Sequence, residues 1–151
     1  MQRILVQEED FDVAAENAWL ATPDVGGIAS FIGTVRADRD GAHRVTALRL
    51  EHYPGMTEKA LAAIAAEAEA RWELTGCTII HRVGRLLPGD NIVFVAAASA
   101  HRAAALQATA FLIDWLKTGA PFWKAEELAN GETAWVEARA SDDAATAAWK
   151  G

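Results

Sequence analysis

The chain has 151 residues, a net charge of -7 and a pI near 5.0. That length suits one domain spanning residues 1–151, with a core that needs no staples. The acidity argues against a general binder of nucleic acid or anionic membrane, so any anion site must be local.

Cys77 is the single cysteine, which excludes an internal disulfide framework and fits a reducing compartment. The N-terminal MQRILVQEEDF has no long apolar core of a leader, and no stretch supplies the roughly 18 uninterrupted apolar residues of a membrane span. A soluble cytoplasmic protein is expected. Six tryptophans hint at a subunit contact, where aromatic residues are enriched.

Arg3 to Gln7 reads as a strand, followed by a helix of about ten residues capped by Asp10 or Asp12, with Val13, Ala14, Trp19 and Leu20 on its apolar side. Pro23 to Gly27 is a turn. GIASFIGTVRA from Gly27 and VTALRLEHY from Val45 are predicted strands, paired antiparallel across a charged tip from Ala37 to Arg44. After the Pro54-Gly55 break, Thr57 is a candidate cap for a helix reaching about Glu73, with Leu61, Ile64, Ala65, Ala68 and Trp72 at helical spacing. CTIIHRVG and NIVFVAAAS flank the Pro-Gly-Asp turn signal as a second hairpin.

The next helix is predicted from about His101 to Thr118, where Gly119 and Pro121 stop it. Leu106, Phe111, Ile113, Trp115 and Leu116 make it too apolar for a surface helix. Ser99 is its candidate N-cap, yet His101 and Arg102 follow where the helix dipole prefers acids, a misplacement that an anion between them would offset. Lys124 is read as lying in a loop, Thr133 to Ala138 as a last strand, and Ser141 as the cap of a short terminal helix. One α+β domain built on antiparallel pairs is the simplest architecture.

Several catalytic signatures are missing: there is no Gly-rich phosphate loop, GxGxxG after a strand, HExxH or cysteine pair, so neither metal nor cofactor is expected. Cys77 and His81 read as structural, and His52 with Tyr53 as either pocket-forming or a structural pair. Lysine is scarce, with four in the chain, and Lys117 and Lys124 bracket the TGAPFW break. A desolvated lysine serves as base, acid or imine-forming nucleophile near neutral pH, and apolar Trp115, Phe122 and Trp123 favour Lys117. Arg36, His101 and Arg102 form an anion clamp only if the fold brings those ends together. Singly, each charge also reads as solvated surface.

FIGTVR, LEHYPGMTEKAL, HRVGRLLPGDNIVFVAAASAHRAAA, FLIDWLKTGAPFWKAE and WVEARASD together resemble the large, catalytic subunit of molybdopterin synthase over nearly the whole chain. The resemblance implies an α/β-hammerhead-type fold with an additional antiparallel sheet. It also implies sulfur transfer from the C-terminal Gly-Gly thiocarboxylate of a small ubiquitin-like partner to cyclic pyranopterin monophosphate, forming the molybdopterin dithiolene. It further implies a central homodimer with a small subunit at each outer end.

Carried over by position, Lys117 and Lys124 match the family's active-site lysines. Arg36, His101 and Arg102 match its substrate or anion positions, and Arg139 an arginine reaching the pocket from the neighbouring protomer. Gly119 and Ala125 depart from positions often basic in the family, weakening the local field. Two rival functions stay open on the residues alone: a non-catalytic module binding a ubiquitin-like tail, and an imine-forming lyase using Lys117. A helix of about 18 residues spans roughly 27 Å, too far for both of its charged ends to serve one small pocket, so the two clusters either meet across a subunit contact or act on different parts of an extended substrate and tail.

Overall fold

A computed structural model of the chain describes residues 1–37, 40–136 and 140–150. Two four-stranded sheets organise it. The first contains β1 (Gln2–Gln7), β4 (Leu74–Arg82), β6 (Asn91–Ser99) and β2 (Gly27–Thr34) in that spatial order, with β1 parallel to β4 and the other neighbours antiparallel. The second is wholly antiparallel, in the order β5 (Gly84–Leu86), β3 (Val45–His52), β7 (Phe122–Leu128) and β8 (Thr133–Val136). This is the expected α+β class with an additional antiparallel sheet.

Both faces of the first sheet are covered, so its central strands read as apolar runs rather than alternating ones. Ile79, Val93 and Val95 turn one way, packing on Leu61, Ile64, Ala65 and Ala68 of α2 (Met56–Arg71) and on Phe111 and Leu112 of α3 (Arg102–Thr118). Ile80, Phe94, Ala96 and Ala98 turn the other way onto Leu20 of α1 (Val13–Leu20). Asp12 caps α1, its side chain accepting from the Ala15 N–H at 3.1 Å. The last helix, α4 (Ala140–Ala147), packs on α3.

Four sequence expectations need correction. β2 and β3 do not pair with each other: β2 lies against β6, and β3 joins β5 and β7 in the other sheet. The connection after β2 is therefore a crossover between sheets, carrying the short 3₁₀ turn Gly41–His43. Lys124 lies in a strand, β7, and not in a loop. Its Lys and Glu content reads poorly as strand, yet β3 on one side and β8 on the other complete its ladder.

Thr57 is buried and is not the cap of α2. Gly55 takes the cap position, and its N–H is held by Glu58 at 3.0 Å. The Thr57 hydroxyl instead accepts from the Tyr53 N–H at 2.9 Å and donates to the Pro121 carbonyl at 3.1 Å, tying the start of α2 to the chain before β7. Finally, α4 begins at Ala140, one residue before the expected cap Ser141. The hairpin between β4 and β6 forms as expected, but its tip departs after Arg82 to make β5 in the second sheet.

Candidate active site

The C-terminal half of α3 and facing parts of the two sheets enclose a cavity of about 710 Å³. Its apolar wall includes Phe31, Val93, Val95, Leu48, Leu50 and Phe122, with Ile113 and Leu116 from α3. Into this wall are set Arg36, Lys117, Lys124, Glu126 and His81. Each charged position follows from its element. Arg36 lies just beyond β2, and Lys117 is in the last turn of α3. Lys124 and Glu126 are two residues apart on β7 and so share one face of that strand.

The helix stop is built locally. The Gly119 N–H donates to the Trp115 carbonyl at 2.7 Å, and Gly119 keeps a right-handed conformation (φ -101°) rather than the left-handed one expected of a glycine after a helix. What demands glycine here is space, because a Cβ would lie 2.6 Å from Nε1 of the Trp115 indole.

Beneath the lysines lies His81, on β4 and only 8 % exposed. Its ring stacks on Phe122 with centroids 3.9 Å apart and planes at 19°. Nδ1 is 2.8 Å from the Arg82 carbonyl, so Nδ1 carries the proton and Nε2 the lone pair. Burial, first, pushes the imidazole down to about 4, and the Lys124, Lys117 and His52 charges act in the same direction against the opposing backbone hydrogen bond. The ring is neutral at pH 7, and both lysine charges converge on it.

A cavity with an apolar wall, cationic groups and a neutral acceptor suits a small heterocyclic anion. Known proteins carry the same architecture. The family model for MoaE protein matches residues 6–119. The chain is 54 % identical over 151 residues to the molybdopterin synthase catalytic subunit of Ralstonia nicotianae, covering 99 % of this chain and 85 % of that protein. The chain belongs to the MoaE family. Among solved structures, the molybdopterin biosynthesis MoaE protein of Burkholderia ambifaria superposes with a TM-score of 0.83 at 52 % identity, covering 99 % of this chain and 98 % of that one. Molybdopterin synthase from Staphylococcus aureus gives 0.80 at 30 % identity, with 89 % and 96 % covered.

Within this MoaE-family chain the candidate residues fall into two groups. Arg36, Lys117 and Lys124 line one cavity. His101 and Arg102 lie at the other end of α3, where Arg102 sits over Gly27, 3.5 Å from the position a Cβ would take there. Gly27 and Thr34 are the two ends of β2, so Arg102 and Arg36 are separated by about the length of an eight-residue strand, roughly 27 Å. One chain therefore does not form the clamp of Arg36, His101 and Arg102. Arg139 lies outside the described residues.

Ser99 is the last residue of β6 and His101 takes the cap position of α3. The Ser99 hydroxyl accepts from the His101 N–H at 3.2 Å and donates to the Glu73 carbonyl at 2.8 Å, so it shapes the approach to the helix rather than capping it.

Cys77 is fully buried in the core between the first sheet and α2, and burial pushes its thiol up to about 12. A group so placed is an inert core residue and not a sulfur carrier. Sequence reasoning missed two cavity residues. The spacing of Lys124 and Glu126 was a usable signal once β7 is known to be a strand. His81 gave none, since an imidazole within an apolar strand looks the same whether or not one of its nitrogens opens on a cavity.

Proposed function

We propose that this chain is the catalytic subunit of a cytoplasmic molybdopterin synthase, moving sulfur from the C-terminal thiocarboxylate of a small ubiquitin-like carrier to cyclic pyranopterin monophosphate. The observation that carries the reading is the union of Arg36, Lys117 and Lys124 around one cavity in a MoaE-family chain. The buried, unreactive state of its single cysteine supports it, because the sulfur must then arrive on another molecule.

In this reading Arg36 holds the phosphate through paired N–H donors. The carrier's extended tail enters beside Lys117 and Lys124. The thiocarboxylate sulfur bonds to a side-chain carbon of the pterin as the carbon–oxygen bond there breaks, the oxygen leaving with the phosphate or as water; water then adds to the resulting thioester and the acyl–sulfur bond breaks, releasing the carrier as its carboxylate and leaving the sulfur on the pterin. Lys117 serves that sequence as a general acid or base, or by taking the acyl group from the thioester as an amide whose carbon–nitrogen bond water then cleaves, freeing the lysine and the carrier's carboxylate. Apolar walls exclude bulk water and strengthen each of these interactions.

A homodimer completes the site: His101, Arg102 and Arg139 of a neighbouring protomer supply the remaining anion contacts. The separation of Arg102 from Arg36 within one chain supports that arrangement. Mixing the protein with thiocarboxylated carrier and the cyclic pterin tests the function. Dithiolene product, identified by its mass, is expected; carrier binding without product would leave only a tail-binding module, and borohydride trapping of a carbonyl substrate without any sulfur donor would favour a lyase.

A further inference from the structure

His81 is a polar group of the cavity wall that the proposed sulfur transfer leaves without a task. Its Nδ1–H is committed to the Arg82 carbonyl, and its plane is fixed against Phe122. Nε2 makes no hydrogen bond within the described residues, although the ring is more than nine-tenths buried. The ring is fixed on its other sides and lines the cavity, so Nε2 opens on the space a ligand would fill and is matched by a donor that the ligand brings there.

The neighbouring groups narrow what that partner is. Arg36, Lys117 and Lys124 are donors and take the anionic part of a ligand. Among the acceptors, Glu126 already has a partner, and the Thr118 hydroxyl is engaged with Thr146 and the Asp114 carbonyl. Nε2 is therefore a neutral acceptor available to an incoming N–H or O–H, and its ring is held in one orientation by the Arg82 carbonyl and Phe122, whereas the hydroxyls of Thr34 and Thr118 in the same lining can rotate.

We propose that His81 is a substrate-reading residue: Nε2 accepts a hydrogen bond from an N–H or amino donor of the pterin ring, while the cations of the same cavity hold the phosphate. The low proton affinity of the ring, set by burial and the nearby lysines, keeps this acceptor available at neutral pH. The proposal rests on the sulfur-transfer reading for the identity of the ligand.

Two substitutions separate reading from packing. His81→Asn keeps a donor near the Nδ1 position for the Arg82 carbonyl and removes the distal acceptor, whereas His81→Gln returns an amide oxygen near the place of Nε2. The complex with the carrier is titrated with cyclic pyranopterin monophosphate and separately with inorganic phosphate, and turnover is measured in parallel. Asn is expected to raise Kd and KM for the pterin about 3–10-fold, the worth of one hydrogen bond, with kcat within about twofold and phosphate binding unchanged. Gln is expected to recover most of the loss. Unaltered pterin binding by the Asn variant would overturn the proposal, as would equal losses in both variants for pterin and phosphate alike, the mark of a packing role. A wild-type complex that binds the pterin but forms no dithiolene would refute sulfur transfer, while the binding comparison would still decide His81.

Discussion

At the scale of single residues, burial decides which reactive groups take part. His81 is neutral in the folded protein and titrates near 6.5 when unfolded, against about 4 when folded. Between those values the unfolded chain binds more protons, so stability falls as pH drops from about 6.5 towards 4. Denaturant titrations across that range should show this acid slope, and the His81→Asn variant should lack its share of it. Cys77 is governed by the same physics with the opposite sign of charge: its thiolate is the disfavoured form. Cys77→Ala should cost roughly 1–2 kcal/mol through lost packing and leave sulfur transfer intact. Alkylation of native Cys77 at neutral pH should be slow, and loss of turnover in the alanine variant with its fold preserved would restore the cysteine as a sulfur carrier.

At the scale of elements, α3 is held by the inward face of Ala105, Ala108, Thr109, Phe111 and Leu112, which fixes where Lys117 emerges. Leu112→Ala should destabilise the protein by about 2–5 kcal/mol in equilibrium unfolding, because the residue is fully buried between α3 and the sheet. Gly119→Arg should cost about 1–3 kcal/mol by forcing the Trp115 indole aside; adding Trp115→Tyr should return part of that loss.

The span of α3 was legible because Gly119 and Pro121 end it and its apolar residues recur at helical spacing. Leu106 was not: it reads as core and is 62 % exposed, since the buried arc passes through the small residues Ala105, Ala108 and Thr109 instead. The division of β2 and β3 between sheets also escaped the sequence. Alternation marks a strand but does not name its partner, and β6 competes for β2 with a full eight-position ladder. Lys117, Lys124 and Arg36 could be named from the sequence, but their convergence depends on how the two sheets face each other, which no local pattern encodes.

At the scale of the whole molecule, the fold leaves the charged clusters at the two ends of α3 unjoined and exposes Trp19, Trp123 and Trp135. Both fit a protein whose site is completed by another copy. Chains carrying Lys117→Ala and chains carrying Arg102→Ala, inactive when pure, should regain roughly a quarter of wild-type activity when mixed at random, since half the dimers are mixed and each mixed dimer holds one intact site. Activity no greater than that of the separate variants would place both groups in sites belonging to single chains.

Single-turnover transfer by Lys117→Ala, with carrier and pterin both bound, decides whether Lys117 acts in the cavity where sulfur changes hands. A fall of about 10²–10⁴-fold in the rate of dithiolene formation is expected, the usual worth of a positioned acid or base, with carrier affinity essentially retained. Transfer at a near-normal rate by that variant would contradict that role.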